Sequence, residues 1–412
     1  MSLPRYNRYQ DSGTDWLKEV PEHWNLRRLG YYFAERREKV SDKEFAALSV
    51  TKNGIVSQLE TAAKTDDGDN RKKVVAGDFV INSRSDRKGS AGIASQDGSV
   101  SLINTVLTPV AGIDRGFVHH LLRSVAFQEE YYRYGKGIVA DLWSTNYSEM
   151  KAITLAMPPH PEQSAIAAFL DRETGKIDAL VEEQKRLIEL LKEKRQVVIS
   201  HAVTKGLDPD AKMKPSGVEW LGEVPEHWTV APIGSRYSVQ LGKMLDSDRI
   251  TGDHLRPYLR VFDVQWGSIN VVDLPEMDFD EDARKRYSLR VGDLLVNEGG
   301  SYVGRSAIWQ GELEECYYQK ALHRLRPHNP QRDQVDFLYF VMTFATQFGV
   351  FIAGGNQNTI DHLPAEKLRR YRFGFPRFDE QLAIANHLRQ VSERYERLIA
   401  AAEEAVRLLQ ER

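Results

Sequence analysis

The chain carries one cysteine in 412 residues, Cys316, which excludes an internal disulfide and fits a reducing cytoplasm. No apolar run approaches the roughly 20 residues that a membrane span needs. The opening residues, MSLPRYNRYQ, have neither the apolar core nor the small-residue cleavage site of a secretory signal. Neither sign of charge dominates, the formal net charge being −3. That argues against a surface coated in positive charge but leaves nucleic acid open, because phosphate responds to local clusters of Lys and Arg.

Catalytic signatures are equally scarce. A phosphate-cradling G-x-x-x-x-G-K-[ST] loop is absent: Gly242-Lys243 is followed by Met244 and lacks the upstream glycine. No G-x-G-x-x-G separates a strand from a helix, and no Asn/Asp-Pro-Pro-aromatic tetrapeptide occurs, so neither dinucleotide binding nor amino-group methylation is expected of the chain itself. The 11 histidines have no metal-ligand spacing, and His119-His120 lies on a helical stretch where adjacent residues point apart. Cys316 has no histidine beside it, and the acidic run Glu312-Leu-Glu-Glu315 raises its pKa, which disfavours a nucleophile.

What the chain does contain is itself, twice. Ser12-Gly-Thr-Asp-Trp-Leu-Lys-Glu-Val-Pro-Glu-His-Trp24 recurs from Ser216 to Trp228, identical at all positions but three. Val75-Ala-Gly-Asp-Phe-Val-Ile-Asn82 reappears as Arg290-Val-Gly-Asp-Leu-Leu-Val-Asn297, and Pro161-Glu-Gln163 is echoed by Asp379-Glu-Gln381 after Pro376. One unit of about 200 residues was duplicated. The doubled tryptophans read as framework that anchors the chain entry onto each domain or onto a helix end. Asp78 and Asp293, in the paired Gly-Asp turns, could be carboxylates of a metal-dependent nuclease. Neither is followed by a compact Glu-x-Lys, so we read them as turn caps.

Each copy closes on a long amphipathic stretch. Ile177, Leu180, Gln184, Leu187, Leu191, Lys194, Val198 and His201 follow a spacing near 3.5, and Ile384, Leu388, Val391, Tyr395, Leu398, Ala402, Ala405 and Leu409 repeat it. The first stretch, about 40 residues without an internal proline, predicts a rod of around 60 Å. The second, ending at Arg412, is shorter. Two such rods predict an antiparallel pair with seam residues Leu180, Leu187, Leu191 and Val198 against Leu388, Val391, Tyr395 and Leu398.

The parts between read as mixed α/β domains. Residues 44–59 alternate and break at Asn53-Gly54, a hairpin signal, and Tyr258 to Ile269 behaves likewise. Phe117 to Tyr134 and Val335 to Ile352 are apolar at helical spacing, and Lys205 to Gly217 is a linker. The expected boundaries are 1–158 and 206–375 for the domains, 159–205 and 376–412 for the helices.

The copies agree at framework positions and differ in polar loops, which suggests two readers tuned to different targets. In the first copy the loops carry Lys52, Asn53, Arg84, Ser85, Arg87, Lys88, Lys136 and Trp143. In the second they carry Asp263, Gln265, Trp266, Glu298, Tyr302, Arg305, Asn356, Gln357 and Asn358. Arg and Lys pair with guanine, Asn and Gln with adenine, Asp and Glu with cytosine. Lys64, Arg71, Lys72, Lys73, Arg284, Lys285 and Arg286 are candidates to hold phosphates.

The doubled Trp-Leu-x-Glu-Val-Pro-Glu-His-Trp motif, Leu48-Ser-Val-Thr-Lys-Asn-Gly54, Tyr258-Leu-Arg-Val, the Gly-Asp turns, the Glu-Gln-x-x-Ile helix starts and His201-Ala-Val-Thr-Lys-Gly-Leu-Asp-Pro209 together resemble the specificity subunit of Type I restriction-modification systems. The likeness covers essentially the whole chain. It implies an α+β protein in which two similar target recognition domains are separated by two long antiparallel coiled-coil helices with pseudo-two-fold symmetry. It further implies that each domain grips one half of a split site in double-stranded DNA. The helices would dock two methyltransferase subunits, which bind S-adenosylmethionine, and a translocating endonuclease subunit would join them. The chain itself would be non-catalytic, without cofactor or metal, and cytoplasmic. The rival expectation is a coiled-coil adaptor whose domains bind proteins.

Overall fold

The computed structural model describes residues 5–59, 68–110, 112–137, 143–244, 252–300, 303–351 and 362–411. Two compact units divide the chain, Met1–Ala179 and Leu180–Arg412, with the division falling inside the first long helix.

In the first unit the buried Gly-Asp-Phe-Val-Ile-Asn run forms the strand Phe79–Asn82, enclosed on both faces. It pairs antiparallel with Ala91–Ile93 on one side and Asn104–Pro109 on the other, and Phe33–Glu35 completes a four-stranded sheet. The second unit repeats the order with Ser306–Ile308, Leu294–Asn297, Leu322–Pro327 and Tyr237–Leu241. A separate pair ties each unit's beginning to its end: Asn25–Arg28 with Thr154–Met157, and Thr229–Pro232 with Arg372–Phe375. Strands buried on both sides read as continuous apolar runs rather than alternating ones.

The Gly-Asp turns are structural in both copies. Asp78 caps its turn by accepting the Val75 N–H at 2.9 Å and takes the Arg36 guanidinium at 2.7 and 3.1 Å. Asp293 accepts the Arg290 N–H at 2.7 Å and grips Arg326 at 2.6 and 2.7 Å. Gly77 and Gly292 adopt φ of +97° and +87°, a conformation that glycine enters without steric cost.

Two local expectations shift. The first hairpin, Leu48–Thr51 with Gly54–Ser57, turns through Lys52-Asn53; Gly54 already pairs with Thr51 and lies so close to Gly92 that a β-carbon there would sit 3.0 Å from the Gly54 α-carbon. The helical stretch from Phe117 is two helices, Arg115–Arg123 and Val125–Arg133. Ser124, in extended conformation between them, donates its hydroxyl to Leu121 O at 2.8 Å and accepts the Phe127 N–H at 3.3 Å, closing one helix and opening the next.

Both long helices form, His160–Lys205 with 46 residues and Phe378–Gln410 with 33, or about 69 and 50 Å. Their seams are partly re-phased. On the first helix Val181 and Ile188 are buried, whereas Leu180 and Leu187 are 45% and 42% exposed; Leu191 and Val198 are half-buried. On the second, Leu388 is buried, Val391 and Tyr395 are half-buried, and Leu398 is exposed with Ile399 turned inward in its place. Steps of 3-4 and 4-3 have the same mean period, so periodicity alone cannot decide which alternate residue faces in. Within the second unit Arg195 meets Glu396 at 3.2 Å, while Gly206 lies beside Glu380, so the two helices run in opposite directions over that stretch.

Candidate nucleic-acid interface

The doubled motif is the frame of each unit. In the first, Glu162, at the start of the long helix, accepts from Trp24 Nε1 at 3.1 Å and lies 2.8 Å from His23 Nε2, with the Tyr6 hydroxyl donating at 2.6 Å. In the second, Glu380 accepts from Trp228 Nε1 at 2.9 Å and lies 2.8 Å from His227 Nε2. The next residue is a buried glutamine in both. Gln163 donates to Pro158 O at 2.8 Å and accepts from the Asp114 N–H at 3.0 Å. Gln381 donates to Pro376 O at 2.9 Å and accepts from the Gln334 N–H at 2.8 Å. Burial pushes the Glu162 carboxyl up, but the hydrogen bonds from Tyr6, His23 and Trp24 outweigh it and hold the group below the ordinary glutamate range.

Distant polar loops come together within each unit. In the first unit Ser144 forms β-bridges to both Arg84 and Lys136, and the Ser85 N–H donates to Trp143 O at 3.0 Å. Arg84, Ser85, Arg87, Lys88, Lys136 and the exposed Trp143 thus belong to one surface. Its cations are loosely countered: Arg87 is 3.7 Å and Arg84 4.0 Å from Asp86, Lys136 is 3.3 Å from Glu149, and Lys88 pairs with Glu129. Exposed pairs of this kind are worth little and exchange readily for other anions. Lys52 and Asn53 are tethered to another element, the Lys52 carbonyl accepting from Arg123 Nη2 at 2.6 Å.

The second unit repeats the scheme. The Leu363 N–H donates to Glu298 O at 2.7 Å, just as the Thr145 N–H donates to Ser83 O at 2.9 Å. Arg305 Nη1 donates to Gln265 Oε1 at 2.5 Å, joining the hairpin Val264–Gln265 and Ser268–Ile269 to the loop after Asn297. Asn297, buried, reaches back with its amide to Val261 O at 3.0 Å. Trp266, at the hairpin turn and 39% exposed, lines a cavity of about 950 Å³ with Tyr339, Arg195 and Arg389.

Several expected contacts are corrected. Asp263 is wholly buried: its carboxylate takes the Arg260 guanidinium at 2.8 and 2.9 Å and the Arg260 N–H at 2.7 Å, leaving nothing to offer a base edge. Glu298 is buried beneath its loop 3.4 Å from His362, and burial raises its pKa. Arg71 is buried against Ser99, with Nε donating to its hydroxyl at 2.9 Å, and Lys72 donates to Asn104 O at 2.8 Å, so both serve the fold. Lys73 pairs with Glu38 and Lys285 with Glu281 on the surface, where Arg286 is also exposed; Arg284 is half-buried. Lys64, Tyr302, Asn356, Gln357 and Asn358 lie outside the described residues. Phe262, the neighbour of Asp263, is exposed and went unmarked in the sequence because a single apolar residue in a one-turn helix carries no periodic signal.

Among the described residues no group of three or more His, Cys, Asp or Glu is placed to hold a metal, and no helix is long and apolar enough to cross a membrane. Cys316 is buried, and burial lifts its thiol to about 12.

No family model matches the chain. It is 24% identical over 222 residues to the Type I restriction enzyme EcoKI specificity subunit of Escherichia coli K12, covering 53% of this chain and 45% of that protein. It is also 24% identical over 247 residues to the putative type I restriction enzyme MjaX specificity subunit of Methanocaldococcus jannaschii, covering 53% and 54%. The match spans about half the length of these curated relatives. Among solved structures, a chain from a study of complex assembly and conformational transition of the type I R-M system superposes with a TM-score of 0.70 at 16% identity over 95% of this chain and 96% of that one. The HsdS subunit from Thermoanaerobacter tengcongensis gives 0.58 at 16% identity, with 95% and 96% covered. In sequence and in fold the chain is similar to type I restriction specificity subunits.

Proposed function

We propose that this chain is the sequence-reading subunit of a Type I restriction-modification complex, each unit contacting one half of a bipartite site in double-stranded DNA. The observation that carries this reading is the pairing of a conserved frame with divergent loops inside one molecule. The Trp-His-Glu clamp and the buried glutamine recur in both units, while the polar loops, Arg84 to Trp143 in one unit and Phe262 to Arg305 in the other, share no polar pattern. An identical frame around unlike polar surfaces suits two recognition elements with different targets better than two copies of one active site.

The long helices act as the spacer between two target recognition domains. Leu180, Leu187, Leu190 and Val197 form an exposed apolar stripe along the first helix, a face suited to docking methyltransferase subunits that bring S-adenosylmethionine. The chain supplies the address and leaves the chemistry to its partners, among them an endonuclease-translocase subunit.

The test is co-expression with a Type I methyltransferase subunit, followed by genome-wide methylation mapping and footprinting. A bipartite motif that appears only when this chain is present is expected; methylation unchanged by its removal refutes the reading.

A further inference from the structure

Phe262 is a large apolar side chain held 52% exposed next to the polar group Gln265 and Arg305. Leaving such a ring in water costs free energy that burial elsewhere would have recovered. The ring is nevertheless fixed. Residues Val261–Asp263 form a single helical turn whose Asp263 carboxylate, fully buried, holds the Arg260 guanidinium by two hydrogen bonds, and that guanidinium lies 4.1 Å over the Phe262 ring. The backbone is clamped as well, the Phe262 carbonyl accepting from Gln265 Nε2 at 2.5 Å and the Val261 carbonyl from Asn297 Nδ2 at 3.0 Å. A buried acid orienting a cation, which in turn covers one face of a ring, prepares the rest of that ring for a contact.

We propose that Phe262 is a specificity-determining residue of the second unit and that it reads the C5 methyl group of a thymine in the major groove. The inference rests on the DNA-reading role proposed above. In a groove whose base edges are otherwise hydrogen-bond donors and acceptors, that methyl is the apolar feature a phenyl ring can recognise. Arg305, joined to Gln265 beside the ring, brings a further cation to the same surface. Asp263 is then a positioning residue: its carboxylate acts through Arg260 and touches no base.

The experiment uses the full chain with its methyltransferase partner and the mapped duplex target, each thymine being replaced in turn by deoxyuridine, which lacks only that methyl. One replacement is expected to weaken binding about 4-fold, the factor one buried methyl group is worth. Phe262→Ala weakens binding similarly and makes that replacement silent, while Phe262→Leu retains part of both effects and keeps the test valid if the alanine variant misfolds. A target without thymine, a set of replacements none of which matters, or a Phe262→Ala protein that keeps full sensitivity overturns the proposal. Specific bipartite binding with an indifferent Phe262 sinks this inference alone; absence of any bipartite binding sinks the DNA-reading role and this inference with it.

Discussion

The indole of Trp228 donates to the carboxylate of Glu380 at 2.9 Å across 152 residues of chain, and Trp228 is 1% exposed. Glu380→Ala leaves that N–H buried without an acceptor and is expected to cost about 1–3 kcal/mol of unfolding free energy. Glu380→Gln, which keeps an acceptor, should cost less. Denaturant unfolding of both variants checks the order.

The matching Glu162 has a folded pKa held below its ordinary value of 4.5. Its stabilising contribution is therefore complete above that value and is lost as pH falls through the lowered folded pKa. Glu162→Gln should flatten the acid limb of the stability curve below about pH 4.5 and leave the neutral region changed only by a constant offset. Thermal unfolding measured from pH 3 to 7 reads it.

His323 is fully buried, with Nε2 2.6 Å from Leu363 O, and burial lowers its pKa from 6.5 to about 4. A histidine that resists protonation in the fold keeps its full contribution above pH 6.5 and loses it as the pH falls toward 4, where the unfolded chain binds the proton more readily. Stability should decline over that window, and His323→Gln, which cannot titrate, should lose that part of the slope.

Lys18 adopts φ of +54° where the second copy has Gly222 at +64°. A side chain in the left-handed region is strained, so Lys18→Gly is expected to raise stability by ~0.5–1 kcal/mol and Gly222→Ala to lower it by a similar amount. Melting temperatures of the two single variants decide it.

If the long helices set the distance between half-sites, removing one heptad from each shortens the spacer by ~10 Å, or about three base pairs of the unread gap. Methylation mapping of the shortened protein should report the narrower motif; an unaltered gap counts against the ruler. In the same assay system, alanine at Arg84, Arg87 or Lys136 should weaken binding and reduce the salt dependence by about one counterion each where the cation meets a phosphate.

The sequence by itself determined the duplication, the framework role of Glu-His-Trp, the Gly-Asp turn caps and the two helices, because each is written in local spacing or in a repeat. Tertiary structure decided which residues face inward and which meet. Val181 and Ile188 displaced Leu180 and Leu187 from the seam because equal mean periods leave the phase to the packing partner. Asp263 was withdrawn into the interior because Arg260, three residues earlier on the same turn, satisfies it completely. Arg84, Lys136 and Trp143, more than 50 residues apart at their extremes, share one surface because Ser144 bridges two loops that nothing in their own composition joins. Propensity acts over a few residues, whereas burial and long-range pairing are settled by the whole unit at once.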